Sequence, residues 1–212
     1  LSAGESYVIK VAAFDASGNT SDLVTYELVM EDTAKPVENP FTDINESQYY
    51  YDPILWAYAN GITDGATDTT FAPEGICTRG QVVTFLYRAA GSPEVKADTC
   101  KFTDVKAGDY YYNAVLWAVE KGITDGTSDT KFSPNQECTR GQVVTFLYRA
   151  AGEPAVSTAT GKFTDISEGQ YYYNAVLWAV EKGITDGTSD TKFSPDVTCV
   201  RGQVVTFLYR YA

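Results

Sequence analysis

Arg79, Arg140 and Arg201 recur 61 residues apart, each in the first turn of what reads as a helix. A cation there opposes the helix macrodipole by roughly 0.3–1 kcal/mol, so the sequence accepts the same electrostatic cost three times. An arginine fork beside helix N–H groups is a receiver for a carboxylate or another anion. The competing explanation is internal. Asp43, Asp104 and Asp165, or the loop aspartates Asp64, Asp125 and Asp186, could neutralise the arginines, and both readings hold if a ligand displaces an aspartate. Thr78 and Thr139 stand directly before two of the arginines, and Gly65, Gly126 and Gly187 sit in loops where a missing side chain lets a ligand approach the backbone. The candidate ligand-binding set is therefore Arg79, Arg140, Arg201, Thr78, Thr139, Asp64, Gly65, Asp125, Gly126, Asp186 and Gly187.

Other chemistries fare worse. With no histidine, the chain lacks the Ser-His and Cys-His nucleophile systems and the commonest metal ligand. Nothing places two carboxylates across a cleft as a glycosidase would need. The loop Thr124-Asp125-Gly126-Thr127-Ser128-Asp129 has the look of a calcium loop but not the EF-hand ligand order, and turn formation explains it better. No catalytic residue, metal site or cofactor is expected. Tyrosines and tryptophans could stack on sugar rings. Tyr51, Tyr112, Tyr173 and the three tryptophans have the spacing of a structural staple, which leaves Tyr49, Tyr110 and Tyr171 as the exposed ones. Cys77, Cys138 and Cys199 share one phase and read as small buried hydrophobes, while the unmatched Cys100 invites a disulfide, with Cys77 or Cys138 as partners.

The elements that must position these residues follow from cap and stop signals. A short helix opens after Asp52, Asn113 or Asn174 as the capping residue and closes at Gly61, Gly122 or Gly183, with an isoleucine next, the order of a Schellman close. A loop of about fifteen residues follows, of a length that is often functional. A longer helix then opens at Thr78-Arg79-Gly80-Gln81 or Thr139-Arg140-Gly141-Gln142, where threonine with glutamine three residues on makes a capping box. Val82, Val83, Phe85, Leu86, Ala89 and Ala90 keep helical spacing, so one face must be buried. Two such helices cannot bury that surface within one unit, so the copies pack on one another. The longer helices are expected as a central bundle and the shorter ones as outer props.

The chain has 212 residues, 44% hydrophobic and 14% aromatic, enough for a sizeable core. Its net charge of −12 opposes nucleic-acid binding, and no apolar stretch reaches the ~20 residues that span a bilayer. The start at Leu1 resembles neither a signal sequence nor an initiator methionine, so the chain is expected to be part of something longer. Residues 1–30 read as one β-hairpin and 31–40 as a linker; the repeats fall at 41–91, 102–152 and 163–212, with 41–212 folding as one unit. A lone hairpin is marginal in water. It is expected to lean on the repeats, to pair with another chain and so mediate self-association, or to have lost its sheet.

Three appearances of Phe-Thr-Asp and of the Gly-Ile before the loop, followed by the Thr-Arg-Gly-Gln box at Thr78-Arg79-Gly80-Gln81 and Thr139-Arg140-Gly141-Gln142, resemble the S-layer homology (SLH) domain. The resemblance covers residues 41–212. It implies a mainly α, pseudo-threefold spindle, and a secreted protein attached to the bacterial cell wall through secondary cell-wall polysaccharide, often through pyruvylated sugars. The front end, Tyr7 to Ser21, resembles the last two strands of a fibronectin type III or related immunoglobulin-like domain. The box departs from the family's Thr-Arg-Ala-Glu: glutamine replaces glutamate in all three copies, which removes a negative charge near the arginine. Val200 replaces threonine in the third, at a cost of about 1 kcal/mol in capping. The alternative function is a protein-interaction module of a surface protein, assembling without any glycan.

Overall fold

The computed structural model describes residues 6–29, 37–157 and 162–212. These form two compact bodies, Leu1–Glu38 and Asn39–Ala212, and the three repeats of the second are its units one, two and three. Residues 31–36 of the predicted linker lie outside the described residues, as do residues 1–5 and 30 of the predicted hairpin.

In the first body, β1 (Ser6–Val11) pairs antiparallel with β2 (Val24–Val29), from Ser6 opposite Val29 to Val11 opposite Val24. The turn between them is held by Asp15, whose carboxylate accepts the backbone N–H groups of Ser17 and Asn19, and by Gly18 at φ 84°.

Among its described residues the second body contains six helices. Three are the outer helices α1 (Tyr51–Ala59), α3 (Tyr112–Glu120) and α5 (Tyr173–Glu181), and three are the longer α2 (Arg79–Ala89), α4 (Arg140–Ala150) and α6 (Arg201–Tyr211). The capping box closes on α2 and α4. The Thr78 and Thr139 hydroxyls each accept from the glutamine N–H at 3.4 Å, and each glutamine side chain accepts in return from the threonine N–H, at 3.0 and 3.3 Å. Valine has no acceptor, so at α6 only the return half survives, Val200 N–H to Gln203 Oε1 at 3.4 Å. The helices α2, α4 and α6 contact one another and bury Val82, Val83, Phe85 and Leu86 with their counterparts, forming the central three-helix bundle.

The outer helices pair across units. The helix α3 packs on α2, α5 on α4, and α1 on α6, so each unit props the central helix of the unit before it and the first closes on the last. Trp117 meets Tyr87 at 5.7 Å between ring centroids, Trp178 meets Tyr148 at 5.6 Å and Trp56 meets Tyr209 at 5.5 Å. The tryptophans thus join units. A second ring of contacts closes through backbone: Cys77 N–H donates to the Cys199 carbonyl, Cys138 to Cys77 and Cys199 to Cys138, at 2.8–2.9 Å. All four cysteines are free thiols, with Cys77, Cys138 and Cys199 fully buried and Cys100 half-buried, so the pairing that the sequence left open for Cys100 is not formed.

The outer helices begin earlier than their sequence suggests. Tyr51, Tyr112 and Tyr173 are already helical, and no side chain caps them. Asp52, Asn113 and Asn174 therefore lie inside the first turn and are not caps. The turn that enters each helix makes a cap redundant, because the carbonyls of Gln48, Asp109 and Gln170 already accept the tyrosine N–H groups at 2.9–3.0 Å. The exit is a Schellman close, with Gly61 at φ 67° and Ile62 N–H reaching back to the Ala57 carbonyl at 2.8 Å.

Candidate functional site

Three grooves of 340, 380 and 350 Å³ run beside α2, α4 and α6, and every one of them is built from all three units. In the groove along α2, the loop Thr63-Asp64-Gly65 and the helix residues Gln81, Thr84 and Arg88 come from unit one. Tyr110 comes from unit two and Arg201 from unit three. The α4 groove repeats this with Asp125, Gly126 and Arg149, closed by Tyr171 and Arg79. The α6 groove has Asp186, Gly187 and Arg210, closed by Tyr49 and Arg140. Of the predicted set, the arginines, loop aspartates and loop glycines are brought together, but each arginine serves the groove of a different unit from its own. Thr78 and Thr139 line none of these grooves; their hydroxyls are spent on the caps.

The arginines are buried, at 3% exposure for Arg79 and Arg140 and 7% for Arg201. Each side chain passes into a neighbouring unit, where its Nε donates to a phenylalanine carbonyl: Arg79 to Phe132 and Arg140 to Phe193 at 3.0 Å, Arg201 to Phe71 at 2.9 Å. Two aromatic faces hold each guanidinium. Arg201 lies 4.6 Å from the ring centre of Phe71 and 5.4 Å from that of Phe85, and the other two repeat this with Phe132 and Phe146 or Phe193 and Phe207. Burial pulls all three below the ordinary arginine pKa, a direction that marks the desolvation cost of the charge. Among the described residues none of the three forms an ion pair with a carboxylate, and the Nη2 atoms of Arg140 and Arg201 are buried with no hydrogen-bond partner.

The aspartates proposed as internal partners are engaged elsewhere. Asp43 accepts the N–H groups of Phe71 and Ala72 at 2.9 and 2.7 Å, and Asp104 and Asp165 do the same one and two units on. Although burial works against ionisation of Asp104 and Asp165, these N–H donors win and hold both carboxyls below their usual pKa. Their structural effect is indirect: they fix the loop segment whose phenylalanine carbonyl receives the arginine. Asp64, Asp125 and Asp186 pair instead with Arg88, Arg149 and Arg210 at 2.9, 3.2 and 3.3 Å.

The expected helix N–H receptor is also corrected. Arg79 N–H donates to the Gln136 carbonyl, Gly80 N–H to Pro134 at 2.9 Å each, and Gln81 N–H to Thr78. The same pattern occupies α4 through Val197 and Pro195, and α6 through Gly75 and Pro73. Loop carbonyls of the next unit therefore occupy the positive end of each helix, and the threonine hydroxyls take the next N–H at α2 and α4; only at α6, where Val200 offers no acceptor, is the Gln203 N–H without its cap. The loop glycines likewise answer first to internal packing. Gly65 sits at φ 94°, and a Cβ there would lie 2.5 Å from the Thr67 carbonyl and 2.6 Å from the Phe41 ring.

The second arginines, Arg88, Arg149 and Arg210, and the phenylalanine cradles are additions to the predicted set. Recurrence at one phase was the signal that could have found the arginines. Tyr49, Tyr110 and Tyr171 are 60–65% exposed and form one wall of each groove. Among the described residues no group of three His, Cys, Asp or Glu side chains is placed to hold a metal ion, and no helix is long and apolar enough to cross a membrane.

Residues 40–83, 101–144 and 162–205 each match the S-layer homology domain. Among characterised relatives, a cell surface protein of Thermoanaerobacter kivui is 31% identical over 53% of the chain and 15% of its own length. A surface-layer 125 kDa protein of Lysinibacillus sphaericus is 29% identical over 89% of the chain and 16% of its length. The exoglucanase XynX of Acetivibrio thermocellus is 28% identical over 80% of the chain and 16% of its length. The chain spans only about a sixth of each of these relatives. It belongs to the S-layer homology domain family, as three tandem copies. Domains of this family are non-catalytic anchoring modules that bind cell-wall polysaccharide in general, and the chain is a module of the bacterial cell surface.

Proposed function

We propose that the three grooves bind acidic substituents of secondary cell-wall polysaccharide, pyruvylated sugars being one such class, and so hold an exported protein to the wall without a covalent bond. One observation carries this reading: a buried guanidinium, unanswered by any carboxylate among the described residues, lines each of three equivalent open grooves. A buried charge without a counterion is costly, and a site that meets an anionic guest is the simplest reason to keep three. Gln81, Gln142 and Gln203 add neutral polar edges where a glutamate would repel that guest. The exposed tyrosine on the opposite wall offers a face for a sugar ring. On this reading the chain holds and does not catalyse, and enzyme names such as exoglucanase describe the relatives that carry them.

The test is co-sedimentation with purified wall material. Because the arginines are structural as well, two variants are needed: R79Q/R140Q/R201Q, and Tyr49, Tyr110 and Tyr171 all changed to alanine on the exposed walls. Both should lose binding by at least about tenfold while far-UV circular dichroism stays native, since a charged hydrogen bond or a stacked ring is worth roughly 1.5–3 kcal/mol. Full retention by both folded variants overturns the assignment.

A second reading concerns the hairpin alone, which resembles the end of a fibronectin type III domain. Val8, Phe14, Leu23 and Tyr26 are exposed on it, Phe14 at 75%. That surface favours pairing with another polypeptide, and self-association in glycan-free buffer, lost on removal of residues 1–38, would support it.

A further inference from the structure

We propose that Arg88, Arg149 and Arg210 form a second anion contact in each groove, masked in the free protein by Asp64, Asp125 and Asp186, which a bound acidic group displaces. This rests on the grooves being anion sites, and it changes what those sites recognise.

The charge count requires something of the kind. Each groove holds two guanidiniums, Arg201 and Arg88 along α2, against one carboxylate, Asp64. Asp64 answers Arg88 only. The Arg201 side is left with a buried Nη2 that no acceptor meets, and Arg140 repeats this beside α6. The groove thus carries one unanswered positive charge, and Asp64 occupies the acceptor position that an external anion would take on Arg88.

The two partners differ in how firmly they are held. The Arg88 side chain is 34% exposed, and its Nη1 also points to the Ile62 carbonyl at 3.3 Å; Arg149 and Arg210 find Ile123 and Ile184 in the same way. The arginine therefore keeps its place when the aspartate leaves. The Asp64 side chain is 82% exposed, as are those of Asp125 and Asp186. An ion pair so open to water is weak and readily exchanged. A ligand that replaces the aspartate exchanges one charged hydrogen bond for another on Arg88 and gains the buried guanidinium besides. Ligands bearing either one bridging dianion or two neighbouring anionic groups fit this pair best.

The grooves are not equal. Arg149 also has Glu153 at 3.9 Å from its Nε, where unit one has Ser92. The α4 groove therefore faces a second competing carboxylate and should be the weakest of the three.

The test uses the full chain, with glucuronate and glucose 6-phosphate as carboxylate and phosphate probes and glucose as the uncharged control, read by NMR of the arginine side-chain Nε–H signals. Wild type should show saturable shifts at Arg88, Arg149 and Arg210 with the acidic sugars and none with glucose. D64N/D125N/D186N should tighten the response about 3-fold, the scale of an exposed ion pair. R88Q/R149Q/R210Q should weaken it at least about tenfold, read at the buried arginines, and adding the asparagines to that background should gain nothing. Shifts that match the glucose control, or aspartate variants that bind equally or more weakly, overturn the proposal. Whether carboxylate or phosphate binds more tightly identifies the source of the anion. Wall co-sedimentation is measured alongside: its absence with the sugar responses intact would defeat the wall assignment and leave the second contact standing.

Discussion

Arg79, Arg140 and Arg201 carry charge into the interior, and their surroundings show how that is tolerated. An ion taken from water costs several kcal/mol even after relaxation. Two aromatic faces, each worth up to about 2 kcal/mol when desolvated, and one carbonyl acceptor offset much of that, without a carboxylate that would compete with a ligand. The neighbouring position is equally constrained, because a Cβ on Gly80 would meet the Tyr111 ring at 3.0 Å and the Pro134 carbonyl at 3.2 Å. The glycine of the box thus admits the loop of the next unit. Val200 is the one box residue that works against its helix. Replacing it with threonine restores an acceptor for the Gln203 N–H and places a hydroxyl near Tyr49, as Thr78 sits beside Tyr110. V200T should raise stability by about 1 kcal/mol, seen as a melting temperature higher by roughly 2–4 °C. An unchanged or lower value would mean that the valine contributes more by packing than the cap would by bonding.

At the scale of elements, the short segments that enter the central helices and bridge to one another matter as much as the helices. Cys77, Cys138 and Cys199 link them through their backbone, and their thiols are sealed beneath. Burial pushes Cys77 and Cys199 up to about 12 from an ordinary 9.0, and Cys138 further in the same direction. The sign follows from proton counting: above pH 9 the unfolded thiols release protons that the folded ones keep, so stability falls with rising pH. It should be level up to pH 9 and decline from there toward 12, and changing the three cysteines to alanine should flatten the decline. The buried Tyr50, Tyr111 and Tyr172, also raised by burial, account for what remains. Denaturant midpoints from pH 7 to 11 measure this; an alkaline slope identical in the variant rules the thiols out. The central helices were legible in the sequence because cap, period and stop agreed, as for Thr78, Gln81 and Val82 to Leu86. The outer helix starts were not, since Asp52, Asn113 and Asn174 look like caps and only the folded turn shows Gln48, Asp109 and Gln170 doing that work. The site was legible as a set of repeated residues, but not in its wiring. Arg79 bonds to a carbonyl 53 residues away, and periodicity cannot say which copy supplies a neighbour.

For the whole three-repeat body, the cross-unit pairing makes both stability and binding collective. Removing unit three takes away the helix on which α1 packs, one leg of the central bundle, the backbone hydrogen bond from Cys77 N–H to the Cys199 carbonyl and the arginine of the α2 groove. It also uncovers the partners of Val204, Val205, Phe207 and Leu208, all buried. At roughly 1.5–3 kcal/mol for each such side chain, that loss is comparable to the 5–15 kcal/mol by which a domain is normally stable. Residues 39–157 alone should therefore show no cooperative thermal transition. Adding residues 162–212 as a separate peptide should restore it, together with wall binding, because every groove regains its missing wall. If the fragment instead melts cooperatively by itself, the units are more independent than their packing implies. Each groove would then have to be explained from two units rather than three.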